Sequence, residues 1–140
     1  MQKLPKAIIC DLDGTLCLFK HHRDPYDAST CLNDLVNHPV RIIIENLNKK
    51  YDVIFVSGRE SKYQPQTADW IDRNIRLKNW ALFMRATDDN RKDSIVKQEI
   101  YDKSIKDKYY IEFVLDDRDQ VVEMWRSIGL TCLQVAEGNF

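Results

Sequence analysis

No stretch of the 140 residues is apolar for anything like the roughly 20 positions that a bilayer-spanning helix needs. The longest apolar runs, such as Ala7–Cys10 and Val53–Val56, are strand-sized. The opening Met1-Gln2-Lys3-Leu4-Pro5-Lys6 carries charge with no apolar segment behind it, which argues against a signal peptide. An intracellular, cytoplasmic protein without a membrane partner is therefore expected. Paired cysteine motifs are also missing. Cys10, Cys17, Cys31 and Cys132 are widely spread with no C-x-x-C, which fits a reduced compartment and excludes a disulfide framework. Cys10 and Cys132 fall in strand-like runs, where a free thiol acts as a small hydrophobe. An excess of one charge is absent too, because 21 Lys and Arg face 22 Asp and Glu for a net charge of −1. There is no basic field to coat a duplex by counterion release; a nucleic-acid substrate would be gripped at a few phosphates near an end. Repeats, low-complexity tracts and linkers are lacking, and the length suits one domain.

What is present is an alternation. Five apolar or β-branched runs, Ala7–Cys10, Val53–Val56, Ala81–Met84, Phe113–Leu115 and Cys132–Val135, are separated by helix-like segments. Val40–Lys50 places Ile43, Ile44 and Leu47 on one face. Gln66–Ile75 follows Pro65, a residue suited to a first helical turn. Ser94–Lys106 carries Ile95, Val96, Ile100, Tyr101 and Ile105. Arg118–Ile128 carries Val121, Val122, Met124 and Trp125, with Gly129 placed to end it. Such alternation predicts an α/β fold, a parallel five-stranded sheet covered by helices on both faces. One irregular insert, Leu16–Pro39, begins at the carboxyl end of the first strand, the edge where open α/β sheets bind ligands.

Chemistry concentrates at that edge. Asp11-Leu12-Asp13-Gly14-Thr15 leaves the first strand, and two carboxylates one residue apart can enter one pocket. Gly14 permits a sharp turn and close approach to an anion, and Thr15 offers a hydroxyl or amide to a phosphate. A calcium loop counted from Asp11 would need glutamate where His22 stands, so that reading fails. Ser57-Gly58-Arg59 follows the second strand, Asn90-Arg91-Lys92-Asp93 opens the helix after the third, and Asp116-Asp117-Arg118 ends the fourth. A polar turn, a solvated helix start and a capping acid pair would each be ordinary alone. Their recurrence at consecutive strand ends points to catalysis on a phosphate monoester, where positioning and charge neutralisation supply most of the rate. Asp11 is the expected nucleophile, forming an aspartyl-phosphate. Asp13 would protonate the leaving oxygen and then activate water, which calls for a carboxyl raised by like charges. Magnesium would be held by carboxylates from the set Asp11, Asp13, Asp116 and Asp117. Ser57 and Lys92 would neutralise the remaining phosphoryl oxygens, and Lys92 could also restrain Asp11.

The order D-x-D-G-T, serine, lysine and D-D resembles the haloacid dehalogenase superfamily of phosphohydrolases. A narrower resemblance, from about Ala7 to Phe140, is to the 3′-phosphatase domain of bacteriophage-type polynucleotide kinase–phosphatases. Pro25-Tyr26-Asp27, Val56-Ser57-Gly58-Arg59-Glu60, Arg91-Lys92-Asp93, Asp116-Asp117-Arg118 with Gln120–Arg126, Ile128-Gly129 and Gln134–Phe140 carry it. The resemblance implies a three-layer Rossmann-like α/β/α fold with a minimal cap, in which only residues 16–39 could cover the site. It implies magnesium, nucleic-acid 3′-phosphate ends of DNA or RNA as substrate, and 2′,3′-cyclic ends as a further one. It also implies that Gly58, Arg59 and Arg23 contact substrate phosphates and that Asp89 supports the lysine or the pocket. Those relatives carry a kinase module as well, but G-x-x-x-x-G-K-[ST] is not found here. Kinase activity is not expected of these residues, and a separate kinase or ligase is a conceivable partner.

Competing readings stay open on the residues alone: a nucleotide or small-metabolite phosphatase of the same superfamily, and a module that binds 3′-phosphate ends without turnover. Cys17 with His21-His22 lacks a further ligand at zinc spacing. Trp70, Trp80 and Trp125 could stack on bases, but burial is the better expectation for them and for Tyr109-Tyr110.

Overall fold

The computed structural model describes residues 3–19 and 22–140. His21 of the histidine pair and Met1-Gln2 lie outside them. The core is a five-stranded sheet built from β1 (Lys6–Cys10), β4 (Asp52–Glu60), β5 (Trp80–Arg85), β6 (Tyr110–Asp116) and β7 (Cys132–Gln134). The order is β5-β4-β1-β6-β7, with every pairing parallel. The chain leaves β1 toward β4 on one side and later returns to β6 on the other. That reversal opens a crevice at the carboxyl ends of β1 and β6.

Strand period explains the two faces. Ile8, Cys10, Val53 and Phe55 point to one side, where α1 (His38–Leu47) and α2 (Gln64–Asn74) bring Val40, Ile44, Trp70 and Ile71. Ala7, Ile9, Ile54 and Val56 point to the other, against α3 (Asp93–Ile100) and α4 (Asp119–Ser127) with Val121, Val122 and Trp125. Because both faces are covered, the strands read as unbroken apolar runs rather than as alternation.

The five predicted runs are the five strands, and the four predicted helices are present with ends shifted by a few residues. Gly129 ends α4 with φ +94°, a backbone region that favours glycine. Four details differ. The inner face of α1 is Val40, Ile44 and Leu47, while Ile43 is 38% exposed. Of the tyrosine pair, Tyr109 packs on the core but Tyr110 is exposed. The helix expected to run to Lys106 stops at Ile100 and continues as a wider π turn over Tyr101–Ile105. β4 continues through Ser57-Gly58-Arg59 to Glu60, with its register against β5 shifting between Ser57 and Glu60. Such an irregularity re-aims side chains at a sheet's end. The insert after β1 forms a small antiparallel ribbon, β2 (Cys17–Leu18) with β3 (Leu35–Val36).

Candidate active site

Asp11 follows β1 directly, and its amide donates to the Leu115 carbonyl of β6 at 3.0 Å, seating it between the two strands. Asp116 ends β6, and Asp117 follows. One carboxylate oxygen from each of Asp11, Asp116 and Asp117 lies within 4.8 Å of the others, and all three residues are buried. Thr15 donates its hydroxyl to Asp11 Oδ2 at 2.9 Å and sits 3.3 Å from Asp117 Oδ1. Asp116 has both oxygens engaged: Oδ1 accepts the Asp117 amide at 2.8 Å, and Oδ2 accepts Lys97 at 3.1 Å and the Trp125 indole at 3.3 Å. Gly14, with φ +85°, completes the turn; a Cβ there would collide with the Asp117 carboxylate.

The lysine of this cluster is Lys97, not Lys92. Lys97 is fully buried and donates to Asp11 Oδ1 at 2.7 Å, with Asp93 3.7 Å away. Lys92 caps the start of α3, points to solvent at the cavity rim and touches no acid of the cluster. The helix geometry decides this. Asp93, Val96, Lys97 and Ile100 share the i, i+3, i+4, i+7 stripe that faces the sheet, while Lys92 precedes the first turn. A lysine beside Val96 on the sheet-facing stripe was the available signal. Asp93, read from the sequence only as part of the helix-opening run, pairs with Arg85 at 3.3 Å, and a Cβ on Gly58 would strike its carboxylate.

Burial pushes the Asp11 carboxyl well up, and the Asp116 charge adds to that while the Lys97 ammonium opposes it. Burial likewise raises Asp117. Burial alone would pull Lys97 down, but Asp11, Asp116 and Asp93 together hold it above its ordinary value.

Asp13 stands apart from this acid cluster. Its direct hydrogen-bond partners are two guanidiniums, and the like charge beyond them is Asp34. Arg59 donates to it from Nη2 at 2.6 Å and from Nε at 3.1 Å, and Arg23 from Nη2 at 2.9 Å. Both arginines also hold Asp34, a buried acid of the insert: Arg23 from Nε and Nη2 and Arg59 from Nη2, each at 2.9 Å. Arg59 gives its remaining edge to Thr67, and Arg23 lies over the Phe19 ring at 4.1 Å. Arg23 and Arg59, expected at substrate phosphates, form a clamp on Asp13 in this structure. His22 meets Asp34 at 2.7 Å. Neither Asp34 nor its role was visible in an insert without periodicity.

The other expected phosphate ligands divide. Gly58 and Asp89 line the cavity, but Asp89 pairs with Arg91 at 2.8 Å rather than with a lysine of the cluster. Ser57 is buried, and its hydroxyl accepts the Arg59 amide at 3.1 Å. Thr15 is bound to carboxylates, as described. Trp70 and Trp125 are core residues, and Trp80 packs edge-on against Phe55.

Above Asp11 and Asp13 opens a cavity of about 810 Å³, walled by the insert, the end of β4, the β5–α3 connection and the chain's last residues. The family description "Polynucleotide kinase PNKP phosphatase domain" matches residues 5–140. The chain belongs to that family. It is a phosphatase of the haloacid dehalogenase type, and its parallel five-stranded sheet is that fold. A putative bifunctional polynucleotide kinase/RNA ligase of Autographa californica nuclear polyhedrosis virus is 35% identical over 131 residues, covering 91% of this chain and 19% of its own length. Two solved structures of the Pnkp1/Rnl/Hen1 RNA repair complex superpose with TM-score 0.92 at 48% and 47% identity, covering 98% and 100% of this chain. This chain spans 44% and 49% of those chains. The HAD domain of the Legionella pneumophila effector Lem4, at 12% identity and TM-score 0.56, shares the fold.

Proposed function

We propose that this chain is a magnesium-dependent polynucleotide 3′-phosphatase acting in nucleic-acid end repair, working as one phosphatase domain. The observation that carries the reading is the pairing of two different carboxylates at the mouth of β1. Asp11 lies in a buried acid cluster, and Asp13 is held by two guanidiniums at the wall of an open cavity. The names of the similar proteins make RNA ends the first substrate to test, and a kinase or ligase on the same or another chain the expected companion.

Three buried carboxylates cluster beside one ammonium, which holds Asp11 and Asp116 but not Asp117; this donor set of hard oxygens with excess negative charge fits a divalent cation. Asp11, Asp116 and Asp117 would hold magnesium, which when bound supplies positive charge to the phosphoryl oxygens. The residues of the chain do the remainder. Lys97 holds Asp11 Oδ1 and Thr15 holds Oδ2, so the nucleophile is oriented before substrate arrives. Asp11 forms a bond to phosphorus as the bond to the 3′-oxygen breaks, and Asp13 delivers the proton to that oxygen. Water then attacks the aspartyl-phosphate, giving its proton to Asp13 and releasing Asp11 and inorganic phosphate. The Arg23–Arg59 clamp keeps Asp13 facing the cavity; its side chain is 27% exposed, against 7% for Asp11. Four free, buried thiols accord with a cytoplasmic site of action, and no helix among the described residues is long and apolar enough to cross a membrane.

The test is phosphate release, with magnesium, from matched oligonucleotides bearing a 3′-phosphate, a 5′-phosphate or a 2′,3′-cyclic end, beside a free 3′-mononucleotide. Preference for the 3′-phosphorylated oligonucleotide, abolished in Asp11→Asn, is expected. Equal or better turnover of the mononucleotide would move the protein to nucleotide metabolism.

A further inference from the structure

Pro25-Tyr26-Asp27 has no part in the chemistry above, yet Tyr26 is 84% exposed on the wall of the catalytic cavity. A large aromatic left in solvent on a loose loop would be unremarkable, but this loop is tied down at several points. The Tyr26 amide donates to Asp24 Oδ1 at 2.7 Å, the Asp27 amide to the Asp24 carbonyl at 3.1 Å, and the Ser29 amide to Asp27 Oδ1 at 3.0 Å. These are short side-chain-to-backbone turns that fix a loop without a core beneath it. Arg23 adds the decisive link. Its Nη1 donates to the Asp24 carbonyl at 3.3 Å, with the Asp27 carbonyl at 3.5 Å, while its Nη2 holds Asp13. One guanidinium thus joins the Tyr26 turn to the proton-transferring carboxylate, so the backbone that carries the ring is tied to the chemistry.

Resting on the reading of the chain as a polynucleotide 3′-phosphatase, we infer that Tyr26 is a stacking platform for the nucleobase of the nucleotide that carries the scissile 3′-phosphate. That base is one ribose away from a phosphate seated at Asp11, in the same cavity whose wall the ring forms. A planar aromatic accepts any base by its π-face, which suits an enzyme that must act on ends of every sequence. Phe140, also on the cavity and 67% exposed, is the alternative aromatic, but the Arg118 guanidinium already covers it at 5.1 Å. Tyr26 has no such partner among the described residues, and the substrate is what would cover it.

The experiment measures kcat/KM for a 3′-phosphorylated oligonucleotide, for the same oligonucleotide with an abasic terminal nucleoside, and for p-nitrophenyl phosphate. Tyr26→Ala should lower the ratio of oligonucleotide to p-nitrophenyl phosphate activity by about 5- to 100-fold, the loss one base–aromatic stack predicts, and Tyr26→Trp should restore it. On the abasic substrate the unmodified protein and Tyr26→Ala should be equal, which tests the inference on the substrate side without relying on the variant's fold. A binding arm uses Asp11→Asn with 2-aminopurine as the terminal base: its fluorescence should be quenched on binding, and the quenching lost when Tyr26→Ala is added. An unchanged ratio, or an equal loss on the abasic end, overturns the platform while leaving the phosphatase reading intact. If the unmodified protein shows no preference for the oligonucleotide over a mononucleotide, the polynucleotide reading fails and the platform falls with it.

Discussion

Around Asp11, three buried carboxylates cluster beside the ammonium of Lys97, which holds two of them; around Asp13, two carboxylates face two guanidiniums. The two aspartates are separated by one residue, and their surroundings differ in both charge balance and access. The first cluster has an excess of carboxylates and lies deep at the floor of the cavity, which suits a nucleophile beside a cation. The second is balanced and partly open, which suits a group that must exchange protons with substrate and water. The contrast arises from topology. Asp11 points into the crevice between β1 and β6, so its neighbours are the acids ending β6. Asp13 lies a step further out, where β4 and the insert bring Arg59, Arg23 and Asp34.

The sharpest way to break this comparison is at its one ammonium. Lys97→Met should reduce magnesium-dependent phosphate release by about 10²–10³-fold, the range seen when a preorganised charge-stabilising group is removed. Lys92→Met should stay within about 3-fold, as for an exposed, unpaired charge. Equal losses in the two variants would return the catalytic role to the helix cap.

A second effect probes the balanced cluster through stability rather than rate. Arg59→Ala leaves Asp13 and the fully buried Asp34 short of a partner and should cost about 3–5 kcal/mol in urea unfolding. Arg59→Lys should recover only part of that, because one ammonium cannot make the fork that spans Asp13, Asp34 and Thr67. An Arg59→Ala protein as stable as the parent would mean that the clamp is not a structural unit.

The smallest effect lies outside both clusters and serves as their solvent-exposed control. Hydrogen bonds from Arg91 lower the carboxyls of Asp89 and Glu99 to about 2. Folded values below the ordinary carboxylate range stabilise above that range, and the contribution is lost as pH falls toward about 2. Arg91→Ala should therefore flatten the decline in urea midpoint between about pH 5 and pH 2.5, by a small amount since the groups are exposed. An unchanged acid limb would show these pairs to be energetically silent.

How much was legible follows from which residues obey a period. Ala7–Cys10 and Val53–Val56 are unbroken apolar runs between helix-like segments, so the strands and a sheet covered on both faces could be read directly, though not which residue met which face. Asp11, Asp116 and Asp117 were legible because they sit where strands stop. Lys97 was hidden because it reaches the site from inside a helix, whereas Lys92 stands at the helix start, where the other polar residues gather. Asp34 and the turn of Arg23 toward it were out of reach, since an insert held by side-chain bonds leaves no periodic trace. The surroundings of Ser57 and Arg59 were hidden too, because β4 runs through them to Glu60 with an irregular register, which no local pattern announces.

The central position of β1 has a consequence for how the protein is made. Its partner β6, and the acids that end it, arrive late: Thr15 and Asp117 meet across 102 residues of chain, and Lys97 and Asp11 across 86. A nascent chain that has released β1, β4 and β5 from the ribosome holds a sheet with one open flank and an Asp11 without Asp116 or Asp117. Until β6 docks into that flank, a cation finds no three-acid nest, and the exposed edge of β1 is the segment most in need of protection from other chains.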